Sequence, residues 1–165
     1  MGAGLMAFAY YVMPHLTASG PIAYALAFLI YGVTSASIVV PVPGMAALIV
    51  MANDLNPWAL AAVAACGGAL GELFGYWLGA QGGSRLTNSV ALRAVKTKLE
   101  RFGGPIVFLF AAVPILPMDA AAIAAGVLRY PMVRFLLYMV AGKALLLATV
   151  FMLASKGAEL WRFWS

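Results

Sequence analysis

Charged residues are scarce in this chain, and so are cysteine and histidine. Only 9% of its 165 residues are charged and 65% are hydrophobic, whereas a soluble domain is about 25% charged and about 45–50% apolar. This composition predicts an all-α integral membrane protein with a single membrane domain over residues 1–165. The lone Cys66 and the lone His15 exclude an internal disulfide and a Cys/His metal site. We therefore expect no metal and no other cofactor, and we expect Cys66 to serve in packing.

Lysine and arginine are absent from residues 1–84, and all ten lie from Arg85 onward. Five of them fall in one connecting segment: Arg85, Arg93, Lys96, Lys98 and Arg101. Because positively charged loops remain in the cytoplasm, we predict that residues 85–103 form a basic cytoplasmic connector in a multi-pass protein of the inner cell membrane. Charge distributed in this way favours membrane lipids as partners and argues against nucleic acid.

Two of the four apolar blocks, residues 22–52 and 105–129, are interrupted near the middle. Proline costs about 3 kcal/mol or more inside a helix, so prolines at both places predict a break in the helix. The breaking residues are Pro41, Pro43 and Gly44 in the first block and Pro114 and Pro117 in the second. The other two blocks, 58–80 and 132–156, are continuous and long enough to span a membrane. The alternation of broken and continuous blocks predicts an internal repeat, with 73 residues from Pro41 to Pro114.

Irregular backbone cannot face lipid, because each unsatisfied N–H or C=O group costs several kcal/mol there. We therefore interpret each broken block as a re-entrant hairpin that enters and leaves on one side of the membrane. The charge-poor turn at 53–57 places the mouth of the first hairpin outside, and the basic connector places that of the second in the cytoplasm. The hairpins would then form an inverted repeat and meet at the midplane. Two ordinary kinked spans are the alternative.

The segments outside these blocks are less apolar or shorter. Residues 1–21 have no basic region and no cleavage site, so we predict an interfacial segment that is too short to span, and no signal peptide. In the connector, Leu92, Val95, Leu99 and Phe102 recur at helical spacing. This pattern predicts either a short amphipathic helix on the membrane surface or a solvated connector.

Glycine recurs at every fourth position of the span over 58–80. Gly67, Gly71, Gly75 and Gly79 form one smooth stripe on a helix, along which another helix can pack closely. We expect this stripe to seat a hairpin.

Three ionisable residues lie in apolar surroundings: Glu72, Asp119 and Lys143. A charge at membrane depth costs about 2.5–3.5 kcal/mol on insertion scales, so such residues usually face a pathway. We interpret Glu72 and Asp119 as candidate carriers of protons or substrate, with capping of a half-helix as the alternative for Asp119. Lys143 either pairs with one of the acids or extends to the cytoplasmic interface. The sequence contains no catalytic triad, phosphate loop or metal constellation, so we assign no catalytic residue and expect no enzyme.

These features resemble the DedA family, also called the VTT or SNARE-associated Golgi protein group. The resemblance rests on the proline breaks, on "GGALGELFGYWLGAQGG" and on "AAVPILPMDAAAIAAGVLRYPMVRF", and it covers nearly the whole chain. It implies an inner-membrane protein with two opposed re-entrant hairpins that translocates undecaprenyl phosphate or phospholipids as a flippase or scramblase, often using the proton-motive force. It also implies that Glu72 and Asp119 match the acids of the two family motifs.

The chain departs from the family at two charged positions. Many members have a glutamate shortly after the first proline pair, where this chain has Gly44 and Met45. Many also have an arginine just before the second pair, where this chain has Ala111 and Ala112. The candidate ligands for a phosphate headgroup are therefore Arg129, Arg134 and Lys143.

Three functions are compatible with these residues. We expect a lipid translocase, in which headgroups pass between the hairpins while acyl tails stay in the bilayer. The alternatives are a proton-coupled exporter of small hydrophobic or cationic solutes, and a membrane scaffold that does not transport. A pathway walled by only two full spans favours a homodimer.

Overall fold

The structure is a computed structural model of the chain, and it describes residues 20–35, 42–52, 54–82, 90–113, 116 and 118–164. These residues form helices and no strand. The seven helices are α1 (Gly20–Ser35), α2 (Val42–Met51), α3 (Pro57–Gly82), α4 (Val90–Phe102), α5 (Gly104–Ala112), α6 (Met118–Val127) and α7 (Met132–Trp164). Two of them, α3 and α7, are long and apolar enough to cross a membrane. The predicted all-helical membrane protein with two spans is confirmed.

Each broken block contains two short helices. The first block gives α1 and α2, with 16 and 10 residues, and the second gives α5 and α6, with 9 and 10 residues. All four are shorter than the roughly 20 residues that a span requires.

The breaking prolines are only partly within the described chain. Pro43 is the second residue of α2, where the missing N–H costs no helical hydrogen bond. Pro41, Pro114 and Pro117 lie outside the described residues, and so do residues 1–19 of the predicted interfacial segment.

The helices α1 and α2 run antiparallel to each other. Gly44, near the start of α2, lies directly against Thr34 in the last turn of α1. At the opposite end, the N–H of Asn56 donates a hydrogen bond of 3.2 Å to the Tyr24 hydroxyl of α1. Both outer ends of this pair therefore lie beside the start of α3.

The helices α5 and α6 are closed at their outer ends in a similar way. Gly103, which precedes α5, lies close to the ring of Tyr130, which follows α6. The Tyr76 hydroxyl of α3 donates a hydrogen bond of 2.6 Å to the Tyr130 carbonyl. The outer ends of this second pair therefore lie near the end of α3.

The described residues form three buried clusters, and two of them connect the short helices to both spans. The first joins α1 and α2 to the first half of α3 and the second half of α7. The second joins α4, α5 and α6 to the second half of α3 and the first half of α7. The spans α3 and α7 are therefore antiparallel, and each helix pair shares a core with one half of both spans. The fully buried side chains in these clusters include Leu48, Leu60, Phe151, Phe135 and Met139.

The predicted short helix of the connector is present as α4 (Val90–Phe102). Val95 and Leu99 are buried, because α4 packs on α6, where Val95 shares a buried cluster with Ala121 and Ala124. At Val95 and Leu99 the apolar face of α4 is thus covered by protein. Phe102, predicted to lie on the same face, is 54% exposed.

The expectation that Cys66 serves in packing is wrong. Cys66 is exposed, because its neighbours Gly67 and Gly68 form the face of α3 that contacts α1.

Candidate functional site

The span α3 carries two short helices on its glycine face. A side chain at Gly67 would meet the Phe28 carbonyl of α1, and a side chain at Gly79 would meet the Ile123 carbonyl of α6. A Cβ atom at Gly75 would lie 3.2 Å from the Ala122 Cβ of α6. Helix α1 therefore covers the first half of the stripe and α6 covers the second half.

Both short helices run in the same direction as α3. In α1, Tyr24 lies beside Asn56, and Gly32, which comes later in α1, lies against Gly67, which comes later in the chain than Asn56. In α6, Ala122 lies against Gly75, and Gly126 lies against Tyr76 and Ala80. The C-terminal end of α1 and the N-terminal end of α6 consequently approach the same central stretch of α3. That stretch contains Gly71, which is half-buried, and Glu72.

A buried ion pair lies at this central stretch. The Lys143 ammonium of α7 is 3.1 Å from Oε1 of Glu72. Both residues are nearly inaccessible, with 6% and 5% of their surface exposed. Of the two alternatives for Lys143, the structure shows pairing with an acid.

Helix α1 contributes two further contacts to Lys143. The ammonium donates a hydrogen bond of 3.3 Å to Oγ of Ser35, the last residue of α1. It also lies 5.2 Å from the centroid of the Tyr31 ring, within the range of a cation–π interaction. Sequence reasoning missed both residues. The available signal was the run of small polar residues around Ser35 just before the first proline break.

Asp119 lies in the first turn of α6 and is half-buried. It is close enough to Lys143 and to Glu72 for its charge to interact with both. We call this group of five residues the helix-end junction: Tyr31, Ser35, Glu72, Asp119 and Lys143.

The charges of the junction match the helix ends beside them. A helix carries a partial negative charge at its C-terminus and a partial positive charge at its N-terminus. Lys143 contacts the C-terminal residue of α1, and Asp119 lies at the N-terminus of α6. Each side chain therefore carries a charge opposite in sign to the partial charge of the helix end beside it. With two carboxylates and one ammonium, the three ionisable residues carry a net charge of −1 when all are ionised.

The structure does not bring the three basic headgroup candidates together. Lys143 lies at the junction, whereas Arg129 and Arg134 are exposed at the outer end of the α5–α6 pair. Arg129 adopts a φ of 49°. Its N–H donates to the Gly126 carbonyl and the Tyr130 N–H donates to the Ala125 carbonyl, both at 2.9 Å, which is the Schellman pattern that ends a helix.

The two positions that the resemblance predicts to be charged, at Gly44 and Ala111, lie in close helix contacts. Gly44 lies against Thr34, and a Cβ atom at Gly142 of α7 would lie 2.6 Å from the Ala111 Cβ. The charged residues that the structure brings together therefore come from α3, α6 and α7. In the part of the chain that the structure describes, no group of three or more His, Cys, Asp or Glu residues could hold a metal ion.

Comparison with protein families gives one match. The family model of the VTT domain matches residues 40–155, well over half of the chain and a range that contains Glu72, Asp119 and Lys143. This match confirms the resemblance predicted from the proline breaks and the glycine-rich stretch. No curated protein and no solved structure matches the chain.

Proposed function

We propose that this chain, which belongs to the VTT domain family, is a lipid translocase of the inner cell membrane. The headgroup of the lipid passes the helix-end junction while its acyl tails stay in the bilayer. The observation that carries the proposal is the buried Glu72–Lys143 pair at the place where two half-length helices end on α3. Secondary transporters bind their substrates at such interrupted helices.

The proposal interprets the two helix pairs as re-entrant hairpins. The helices α1 and α2 are antiparallel, and the outer ends of α5 and α6 lie close together. Each of these four helices is too short to span the membrane alone. The pairs open toward opposite ends of α3, so they would enter from opposite faces of the membrane. Since basic loops remain in the cytoplasm, the connector supports a cytoplasmic position for the mouth of the α5–α6 hairpin, with Arg129 and Arg134.

Lys143 is the group that would bind a phosphate at the junction. An ammonium forms charge-assisted hydrogen bonds with phosphate oxygens, and the N–H groups at the start of α6 add positive potential. To bind phosphate, Lys143 must release Glu72. A proton on Glu72 would remove the competing charge, which would couple translocation to protons.

The net charge of −1 at the junction favours a second candidate. A proton-coupled exporter of small cationic solutes would use Glu72 and Asp119 directly, since both are acceptors for a bound cation. A scaffold without transport would need neither carboxylate. For either transport candidate, a second copy of the chain in a homodimer would complete the wall around the pathway.

Fluorescence bleaching in vesicles tests the lipid proposal. The purified protein is reconstituted into liposomes that carry a fluorescent phospholipid in both leaflets, and a membrane-impermeant quencher is added. Translocation predicts near-complete bleaching, whereas an inactive chain leaves the inner leaflet fluorescent. The assay is repeated with undecaprenyl phosphate and an imposed pH gradient. If neither lipid moves, uptake of a cationic dye into the same vesicles decides for or against the exporter.

The Arg129→Asn and Arg134→Gln double variant separates the two transport candidates. Asparagine tolerates the positive φ at position 129, so the variant removes charge without disturbing the turn. A lipid translocase that gathers anionic headgroups at this mouth predicts a slower rate, and a cation exporter predicts an unchanged or faster rate.

A further inference from the structure

The helix α4 carries a basic surface that the proposed pathway does not use. Its described side chains include four basic residues and one acid, a net charge of +3: Arg93, Lys96, Lys98, Arg101 and Glu100. The acid is already engaged, because Glu100 lies 3.8 Å from Lys96 one turn away. Lys98 and Arg101 are exposed.

Packing fixes the orientation of this surface. Val95 and Leu99 are only 4% and 3% exposed, since they are covered by α5 and α6. The helix therefore cannot turn its apolar face into a bilayer, as a free amphipathic helix does. Its charged side chains must face away from the protein.

The surface lies where the second hairpin begins. Phe102 ends α4, and the next residue, Gly103, lies close to Tyr130 at the end of that hairpin. The Arg101 guanidinium is 5.1 Å from the centroid of the Phe102 ring, and that ring is 54% exposed. An exposed aromatic ring beside a cation is typical of the boundary between headgroups and acyl chains.

We propose that Lys98 and Arg101 bind the anionic phospholipid headgroups of the leaflet around the second hairpin. Two exposed cations beside the start of the apolar helix α5 are complementary to anionic headgroups at that depth. This inference does not depend on translocation, because the bound lipids are neighbours of the protein and need not be cargo.

Spin-labelled lipids test this proposal directly. The protein is reconstituted in phosphatidylcholine vesicles with a trace of spin-labelled phosphatidylglycerol or phosphatidylcholine, and electron paramagnetic resonance gives the protein-associated fraction of each. Basic residues near a membrane surface attract anionic lipids, and after averaging over all surrounding lipids we expect a preference of about twofold for phosphatidylglycerol. The Lys98→Gln and Arg101→Gln double variant should remove most of that preference.

Two controls identify the cause. The Lys96→Gln and Glu100→Gln double variant removes one charge of each sign, so it should keep the preference. The Lys98→Arg and Arg101→Lys variant keeps both charges and should also keep it. Salt at about 0.5 M should weaken the wild-type preference by screening.

The proposal is overturned if wild-type protein associates equally with both lipids, or if the Lys98 and Arg101 neutralisation leaves the preference intact. The second outcome would assign the lipid preference to other basic residues of the chain. Because the readout is lipid association, an inactive translocase gives the same result as an active one, and failure of the translocation assay remains a separate finding.

Discussion

Glu72 and Lys143 are 71 positions apart in the sequence, yet their side chains form a buried ion pair of 3.1 Å. The pair joins the two spans α3 and α7, and the hydrogen bond from Lys143 to Ser35 adds α1. Three helices are thus held together by one ammonium group. A contact of this kind can both stabilise the fold and respond to a charged substrate.

Lys143→Met should destabilise the protein strongly. It leaves Glu72 buried without its partner, and removing one partner of a buried pair costs about 3–5 kcal/mol. The Glu72→Gln and Lys143→Met double variant should lose much less, because no unpaired charge remains. Thermal unfolding in detergent of the wild type, both single variants and the double variant measures the coupling. If the loss of stability in the double variant equalled the sum of the losses in the two single variants, Glu72 and Lys143 would not be coupled as described.

Gly67→Ala and Gly79→Ala should each reduce stability by about 1–3 kcal/mol, because the new methyl group must displace a helix backbone. The atoms it would meet are the carbonyls of Phe28 and Ile123. Gly20→Ala is the matched control, since nothing lies within 4 Å of the added Cβ atom there. The same unfolding assay applies. Equal behaviour of the three variants would show that the short helices do not pack on α3 as described.

Arg129→Gly should stabilise the fold by about 1–2 kcal/mol, because glycine adopts a left-handed conformation without the steric cost that other residues meet. The backbone of Arg129 has a φ of 49°. Arg129→Val should have the opposite effect, since a β-branched residue is strained there. Melting temperatures of the two variants should therefore lie on either side of the wild type, and the reverse order would contradict the assigned turn.

Asn56→Ala should cost about 1 kcal/mol, the usual value for loss of a helix N-cap. The Asn56 side-chain oxygen accepts hydrogen bonds from the N–H groups of Trp58 and Ala59, at 3.0 and 3.2 Å, at the start of α3. Asn56→Asp keeps the acceptor and should be neutral in the unfolding assay. A loss of similar size in Asn56→Asp would indicate that the cap is not responsible.

The helix breaks were predictable from sequence because proline acts on its own backbone and on the preceding turn. The composition likewise sufficed for the membrane class and for the two spans. The partner of Lys143 was not predictable, since nothing local distinguishes Glu72 from Asp119 as the nearer carboxylate. Only the antiparallel packing of α3 and α7 decides it.

The face of α4 shows a second limit of sequence reasoning. The spacing of Val95 and Leu99 indicates that one side of the helix is covered, but periodicity does not tell whether lipid, water or protein covers it. The structure places alanines of α6 there. Cys66 was misassigned for a related reason, since an apolar residue in a span faces either protein or lipid, and composition does not distinguish the two.

The most direct test of the helix-end junction is the lipid bleaching assay on the Glu72→Gln and Lys143→Met double variant, with Asp54→Asn as control. Asp54 is an exposed turn residue outside the junction. We predict that the control bleaches as completely as the wild type, and that the double variant leaves the inner leaflet fluorescent although it elutes as a folded protein. Complete bleaching by the double variant at the wild-type rate would contradict a pathway through this ion pair.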